Sequence, residues 1–265
     1  MDEKRISGIQ YFDTLADNYI QKIDSPYHRH RLNSINALIS DIKLKDKKAI
    51  DFGSGEGVYT QYLAECGARV IAMDPSEKMT EAARKRLAGF PAEIRCGDVS
   101  ELELIDSASI DLMICLNTLA YMTEEEEDAF YRSTFRILKN KGQLLVSHSN
   151  ELFDMFTLNK FTAHFFSEHF GVDISSLIVN NTIPDKGIYS VRENPLSYKH
   201  KLSAYGFEEL EQSYCMFHRI PPLLMADADP YSDKREFPDT LTWGKKEEWK
   251  LMFQCSTFAS LSQKA

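Results

Sequence analysis

Three glycines at alternate positions, Gly53, Gly55 and Gly57, follow an apolar run that ends Ala49-Ile50-Asp51-Phe52. Such a loop lets the backbone turn tightly and approach a ligand with no Cβ in the way. The dinucleotide fingerprint wants its third glycine at position 58, where this chain has Val58. The spacing is therefore GxGxG, with an acid, Asp51, two residues before the first glycine. Two further carboxylates fall where a nucleoside needs them. Asp74, nineteen residues after Gly55, is placed to accept both ribose hydroxyls, and Asp98, after Gly97, is placed to accept from an exocyclic adenine amine. Taken singly, Asp74 reads as the neighbour of a helix cap and Asp98 as a turn residue. Together with the glycine loop they describe a nucleoside site.

A group that removes a proton near neutral pH is most simply a neutral histidine. His148, at the end of an apolar run, is the first candidate, with His164, His169 and His218 behind it. The competing reading of His148 is a hydrogen-bonded structural residue. Tyr27-His28-Arg29-His30-Arg31 offers a guanidinium or an imidazole to a ligand carboxylate, or is a solvated basic helix start. Residues 124–128, four glutamates and Asp128, read as the acidic first turn of a helix. His164 and His169 have no acid at metal-ligand spacing, so no metal is expected. Neither a Gly-x-x-x-x-Gly-Lys-Ser/Thr loop nor a Gly-x-Ser-x-Gly elbow occurs, which leaves nucleotide hydrolysis and α/β-hydrolase chemistry unsupported.

The elements that must hold these groups follow from hydrophobic periodicity. Ile9, Phe12, Leu15, Ala16, Tyr19 and Ile23, then Leu32, Ile35, Leu38 and Ile39, recur at helical spacing on either side of Ser25-Pro26. From Lys47 the rhythm changes. Residues 49–52, 69–73, 92–96, 110–116 and 143–148 read as strands, separated by helices over 58–66, 76–88 and 123–138. Continuous rather than alternating apolar strands imply a parallel sheet covered on both faces. This is a doubly wound, mostly parallel α/β core. After it, residues 151–170 carry six of the chain's sixteen phenylalanines and read as a helical insert, either a lid or a packing layer. A helix over 196–205, a strand near 207–217 and a last strand near 250–260 complete the sheet as a hairpin with a long connection. Four stretches result: N-terminal helices at 1–46, a cofactor-binding core at 47–148, an insert at 149–194, and the remainder of the core sheet at 195–265.

Composition narrows the partners. The 265 residues are 43% apolar and 27% charged, and 31 basic against 40 acidic residues give a formal charge of -9. No summed positive field would draw the chain onto nucleic acid or anionic lipid, so neither is an expected partner. The longest apolar run, residues 112–116, is far short of the ~20 residues that cross a bilayer. The charged first residues lack a signal-peptide apolar stretch, so a cytoplasmic protein is expected. Cys66, Cys96, Cys115, Cys215 and Cys255 are odd in number and contain no CxxC. Buried free thiols are expected rather than disulfides or zinc ligands.

The motif Asp51, Gly53, Gly55, Gly57, followed by Asp74 and Asp98, resembles the class I S-adenosylmethionine-dependent methyltransferases. The resemblance spans roughly residues 9–148. It includes Tyr11-Phe12-Asp13 with Ala16 and Tyr19, the stretch from Asp111 to Asn117, and Phe135 through Gly142. It implies a seven-stranded Rossmann-like sheet in order 3-2-1-4-5-7-6, with an N-terminal helical segment and a helical insert after the fifth strand. The implied cofactor is S-adenosyl-L-methionine, lying across the carboxyl ends of the strands. Its implied contacts are Tyr11, Tyr19 and Arg29 from the entry helices, and Asp51, Gly53, Ser54, Gly55 and Gly57 from the first motif. Asp74, Pro75, Met79, Asp98, Val99 and Asn117 complete the set. Residues 150–166, Asn194-Pro-Leu-Ser197 and Tyr205-Gly-Phe207 are similar to a bacterial small-molecule branch associated with sugar modification. The expectation is thus a methyltransferase acting on a small polar acceptor, a sugar hydroxyl or an amine, with His148 as base. An NAD-dependent oxidoreductase and a non-catalytic nucleoside-binding module are the competing readings.

Overall fold

The computed structural model describes residues 12–13, 26–157, 191–217 and 248–265. Helix α1 (Pro26–Ile39) begins on a proline, whose missing N–H is harmless in a first turn. There follow β1 (Lys48–Phe52), α2 (Val58–Glu65), β2 (Arg69–Asp74), α3 (Glu77–Arg86), β3 (Ala92–Cys96), β4 (Ile110–Leu116), α4 (Glu124–Ile137) and β5 (Leu138–Ser149). The chain continues through α5 (Glu151–Thr157), α6 (Tyr198–Ala204), β6 (Phe207–Phe217), α7 (Leu251–Gln254) and β7 (Cys255–Lys264). The seven strands form one sheet in the order β3-β2-β1-β4-β5-β7-β6. β1 to β5 pair in parallel, while β7 runs antiparallel to both β5 and β6.

Both faces of the sheet are apolar, which is why its strands read as continuous hydrophobic runs. On one face Ile35, Leu38 and Ile39 of α1 and Leu63 of α2 pack against Ala49, Leu112, Leu145 and Leu261. On the other, Phe130 and Tyr131 of α4 and Tyr198 and Leu202 of α6 pack against Ile50, Met113, Val146 and Phe258. α3 and α4 start where the sequence says. Ser76 caps α3 through the Met79 N–H, and Thr123 with Glu126 forms a reciprocal capping box on α4.

Two boundaries differ from the sequence expectation. β5 begins at Leu138 rather than near residue 143, because α4 passes into it without a loop. Leu138 pairs with Ile110, and the ladder resumes at Gln143 opposite Leu112. The intervening residues bulge out, with Lys141 at φ 60. The last strand begins at Cys255 rather than near 250, since residues 248–254 are helical. Trp249 and Phe253 make a ring contact one turn apart, at 6.3 Å. The Asn150 amide donates to the carbonyls of Met252 and Cys255 and so satisfies the end of that turn. Of the insert at 151–170, only residues 151–157 lie among those described, and there they are helical. All five cysteines are free, but Cys66 and Cys96 are exposed, contrary to expectation. Cys66 caps the end of α2, and Cys96 ends the edge strand β3. No described helix is long and apolar enough to cross a membrane.

Candidate active site

The carboxyl ends of β3, β2, β1 and β4 lie side by side, so Asp98, Asp74, the glycine loop and Asn117 share one edge of the sheet. Ligands in open α/β sheets bind at that edge, where the strand order reverses between β1 and β4. The glycine loop connects β1 to α2, whose N-cap is Gly57. It is pinned to β2 by the N–H groups of Gly53 and Ser54, both donating to the Met73 carbonyl at 2.7 and 2.9 Å.

Gly53 and Gly55 have φ of 73° and 54°, a region that side chains disfavour. Their surroundings differ. A Cβ on Gly53 would stand 2.0 Å from Thr118 Oγ1, whereas one on Gly55 would meet nothing within 4 Å among the described residues. Gly53 is thus required by the protein itself, and Gly55 faces open space. Beside that space Ser54 Oγ is buried with no partner among the described residues. The cradle therefore fits a ligand carrying hydroxyl and amino groups.

Asp74 Oδ2 accepts from the Gly55 N–H at 2.8 Å, and Oδ1 from the Ser76 N–H at 2.9 Å. Burial pushes its carboxyl up to about 6 against these hydrogen bonds. Asp51 accepts from the Thr60 hydroxyl at 2.6 Å in the first turn of α2. Burial, reinforced by the nearby Asp74 charge, pushes Asp51 up to about 7. Two buried carboxylates thus stand at the cradle, neither paired with a lysine or arginine among the described residues. Such a site favours a cation.

Asp98 caps the short helix Val99–Leu104 through Oδ1, which accepts from the Ser100 N–H and hydroxyl at 2.9 and 2.7 Å. Both the turn role and a place on the binding edge belong to it. Pro75 is exposed on the same edge, Met79 is buried in the first turn of α3, and Val99 is half-buried. Asn117 takes the left-handed conformation at φ 55, which asparagine tolerates. The Ser147 hydroxyl holds it, accepting from its N–H at 3.0 Å and lying 3.1 Å from its Oδ1.

The entry helix is represented by two described residues. Asp13 accepts a short hydrogen bond from the Ser76 hydroxyl, and its carbonyl accepts from Lys78 Nζ at 3.1 Å. Phe12 meets the Tyr121 ring edge-on at 5.0 Å. One contact is beyond the end of β2 and the other beyond the end of β4. Tyr11 and Tyr19 lie outside the described residues. Arg29 lies in the first turns of α1, and its side chain is outside the described set.

His148 does not join this group. Its ring is 1% exposed and turned onto the face covered by α6, with Nε2 at 2.8 Å from the Tyr198 hydroxyl. Tyr198 and Phe258 flank it at 4.7 and 5.7 Å between centroids, and the Tyr198 hydroxyl also makes a short bond to that of Tyr131. Burial, with help from Lys201, lowers its pKa to about 3. The expectation of His148 as the base is corrected accordingly, in favour of a hydrogen-bonded structural residue: strand alternation sends Ser147 to one face and His148 to the other. Sequence reasoning also passed over Thr60, Thr118 and Ser147, which carry no motif of their own. Thr60 was within reach, since a hydroxyl in the first turn after the glycine loop is well placed to meet Asp51.

Residues 49–142 match the methyltransferase domain family. An uncharacterized methyltransferase of Oceanobacillus iheyensis is 25% identical over 131 residues, covering 49% of this chain and 60% of its own length. A carboxy-S-adenosyl-L-methionine synthase of Glaesserella parasuis is 27% identical over 131 residues, 46% of this chain and 53% of the relative. The matched stretch thus spans little more than half of these relatives. In overall fold the chain is similar to magnesium protoporphyrin IX methyltransferase from Synechocystis PCC 6803, a structure with bound S-adenosylhomocysteine. The TM-score is 0.62 at 16% identity, covering 99% of this chain and 100% of that one. Residues 49–142 thus form a methyltransferase domain, and the sheet order and motif residues agree with the Rossmann-like fold of the class I S-adenosylmethionine-dependent methyltransferases.

Proposed function

We propose that the chain transfers the methyl group of S-adenosylmethionine to a small polar acceptor, a sugar hydroxyl or an amine. The single observation that carries this reading is the pair of buried carboxylates, Asp51 and Asp74, with no lysine or arginine partner among the described residues, beside the cradle at Gly55. A nucleoside bearing a positive charge suits that site better than a dianionic pyrophosphate. The sheet order also differs from the six-stranded 3-2-1-4-5-6 dinucleotide fold, because antiparallel β7 lies between β5 and β6. When bound, the cofactor supplies an electrophilic methyl on a sulfonium.

The protein's own contribution is placement. Asp74, oriented by the Gly55 N–H, holds the sugar, Asp98 stands at the adenine end, and Asn117, fixed by Ser147, marks the side facing the acceptor. Phe12 and Asp13 tie the entry helix to Tyr121 and to Ser76 and Lys78, beside the carboxyl edge. His148 takes no proton in this scheme, so an amine acceptor arrives neutral, and a hydroxyl acceptor loses its proton to another group.

Calorimetry with S-adenosylhomocysteine and with NAD, followed by methyl-labelled S-adenosylmethionine and a panel of sugars and amines, tests the reading. Tight binding of S-adenosylhomocysteine, no heat with NAD, and label on one acceptor class are expected. Preferential binding of NAD would overturn the proposal, and cofactor binding without transfer to any sugar or amine would overturn its acceptor.

A further inference from the structure

Glu56 sits between two glycines of the cradle loop, where a charged side chain would ordinarily point to water. Here it is 3% exposed. Its Oε2 accepts from Arg86 Nη2 at 3.0 Å. Arg86 is the last residue of α3. The same helix begins beside Ser76, whose N–H is bonded to Asp74, and Asp74 is bonded in turn to the N–H of Gly55. These links close on themselves: Gly55 to Asp74, Asp74 to Ser76, along α3 to Arg86, Arg86 to Glu56, and Glu56 back to Gly55 through one peptide bond. Packing reinforces the ring at the same end of α3, because Gly57 lies so close to the helix that a Cβ there would come within 2.9 Å of Leu87 Cδ1.

We infer that Glu56 and Arg86 are positioning residues for the cofactor: their ion pair fixes the loop whose Gly55 N–H orients the Asp74 carboxylate, the group that takes the sugar. The helix acts as a strut. Its N-terminal end sets Asp74, its C-terminal end sets the loop, and neither can move without the other while the pair is intact. Side-chain exposure of 4% for Glu56 and 30% for Arg86 puts the pair where water competes weakly on one side. Among the described residues the pair is held by a single bond, since Glu56 Oε1 and Arg86 Nε are buried with no partner there. One contact therefore carries the closure of the ring, and removing it releases the loop while leaving every cofactor-contacting group in place.

The test is a double-mutant cycle with Glu56→Gln and Arg86→Met, read by calorimetric affinity for S-adenosylhomocysteine and by steady-state kinetics. Arg86→Met is expected to weaken that affinity by roughly tenfold, the scale of one charge-assisted hydrogen bond. KM for S-adenosylmethionine should rise in parallel, while kcat at saturating cofactor changes by less than about twofold, because the pair acts on binding and not on transfer. The double variant should bind no worse than Arg86→Met alone, and Arg86→Lys should recover most of the affinity. A wild-type protein that binds S-adenosylhomocysteine, with variants that bind it equally well and lose only melting temperature, would reduce the pair to a stability contact. Additive losses in the double variant would likewise overturn the strut. If Arg86→Met fails to fold, Glu56→Gln and Arg86→Lys decide the matter by the same affinity measurement. Failure of the wild-type protein to bind the nucleoside would instead count against the cofactor site itself.

Discussion

At the amino edge of the sheet, Asp111 on β4 accepts hydrogen bonds from Lys139 Nζ at 2.8 Å, the Lys48 N–H at 3.0 Å and Lys47 Nζ at 3.2 Å. At the carboxyl edge, the described donors to Asp51 and Asp74 are hydroxyl and backbone N–H groups, with no lysine or arginine among them. The outcome is opposite. Burial tends to raise Asp111, but its lysine and backbone partners outweigh that and hold it below the usual carboxylate range. Burial raises Asp51 and Asp74 to about 7 and about 6, with no cation among the described residues to offset it. The same side chain on the same sheet is thus satisfied where it serves the fold and left wanting a cation where it serves the ligand. Breaking each end separately shows whether that division holds.

The largest effect is expected at Gly53. Gly53→Val would drive a branched side chain into Thr118 and force it into left-handed backbone. Loss of measurable S-adenosylhomocysteine binding together with a fall in melting temperature is expected. Gly55→Ala separates the two causes, since its Cβ meets no atom of the described residues. It should cost more affinity than melting temperature; a variant with unchanged affinity would show that the open space beside Gly55 is not where the ligand lies. Next in size is Asp74→Ala, which leaves two N–H groups and the ligand hydroxyls without an acceptor. A loss of about 1–3 kcal/mol in binding is expected by calorimetry.

Much of the carboxyl edge was legible because its requirements are local. Glycine spacing, an acid at the end of each of two strands, and Ser76 and Thr123 as caps each leave a mark within a few residues. The parallel, doubly wound sheet followed from the alternation of strands with helices, and the strand order from the family resemblance alone. What stayed hidden depends on contacts between distant residues. His148 sits at a strand end in the sequence, and only its alternation with Ser147 and the arrival of Tyr198 from α6 decide that it faces inward. The bulge at residues 139–142 replaces a turn because Leu138 finds Ile110 as a partner. Glu56 looks like a solvated loop residue until α3 brings Arg86 beneath it.

A smaller effect concerns pH. Protonated Asp51 and Asp74 are neutral, and a cationic ligand favours their charged forms. Affinity for S-adenosylmethionine should therefore rise with pH through the interval from about 6 to about 7, by up to about tenfold per unit for each group that ionises, and binding in that interval should release protons. Without ligand the sign for stability is reversed. The folded protein holds these protons more tightly than the unfolded chain, so its stability should fall as pH rises from the ordinary carboxylate range toward 7, and cofactor should abolish that fall. Asp51→Asn should flatten both profiles, as read by calorimetry in buffers of different ionisation enthalpy and by thermal melts. A pH-independent affinity between 5 and 8 would remove the argument that these carboxylates await a cation.

The smallest effect is expected at the amino edge, and it completes the contrast. Asp111 is partly buried, and its two lysine partners are each nearly half exposed, at 48% and 44% of their side-chain surface. Water and salt screen such pairs, so Asp111→Asn should cost at most about 1 kcal/mol of stability. Its depressed pKa fixes the direction with pH. The contribution is present above the ordinary carboxylate range and is lost as pH falls through the lowered value. The wild-type protein should therefore be the more stable at neutral pH, and the difference between the two should vanish in acid and shrink in high salt. Affinity for S-adenosylhomocysteine should be unchanged, because Asp111 lies at the opposite end of β4 from Asn117. An Asp111→Asn variant that lost cofactor affinity without losing stability would mean that the two edges are coupled through β4, and the division of the sheet into a supporting edge and a binding edge would fail.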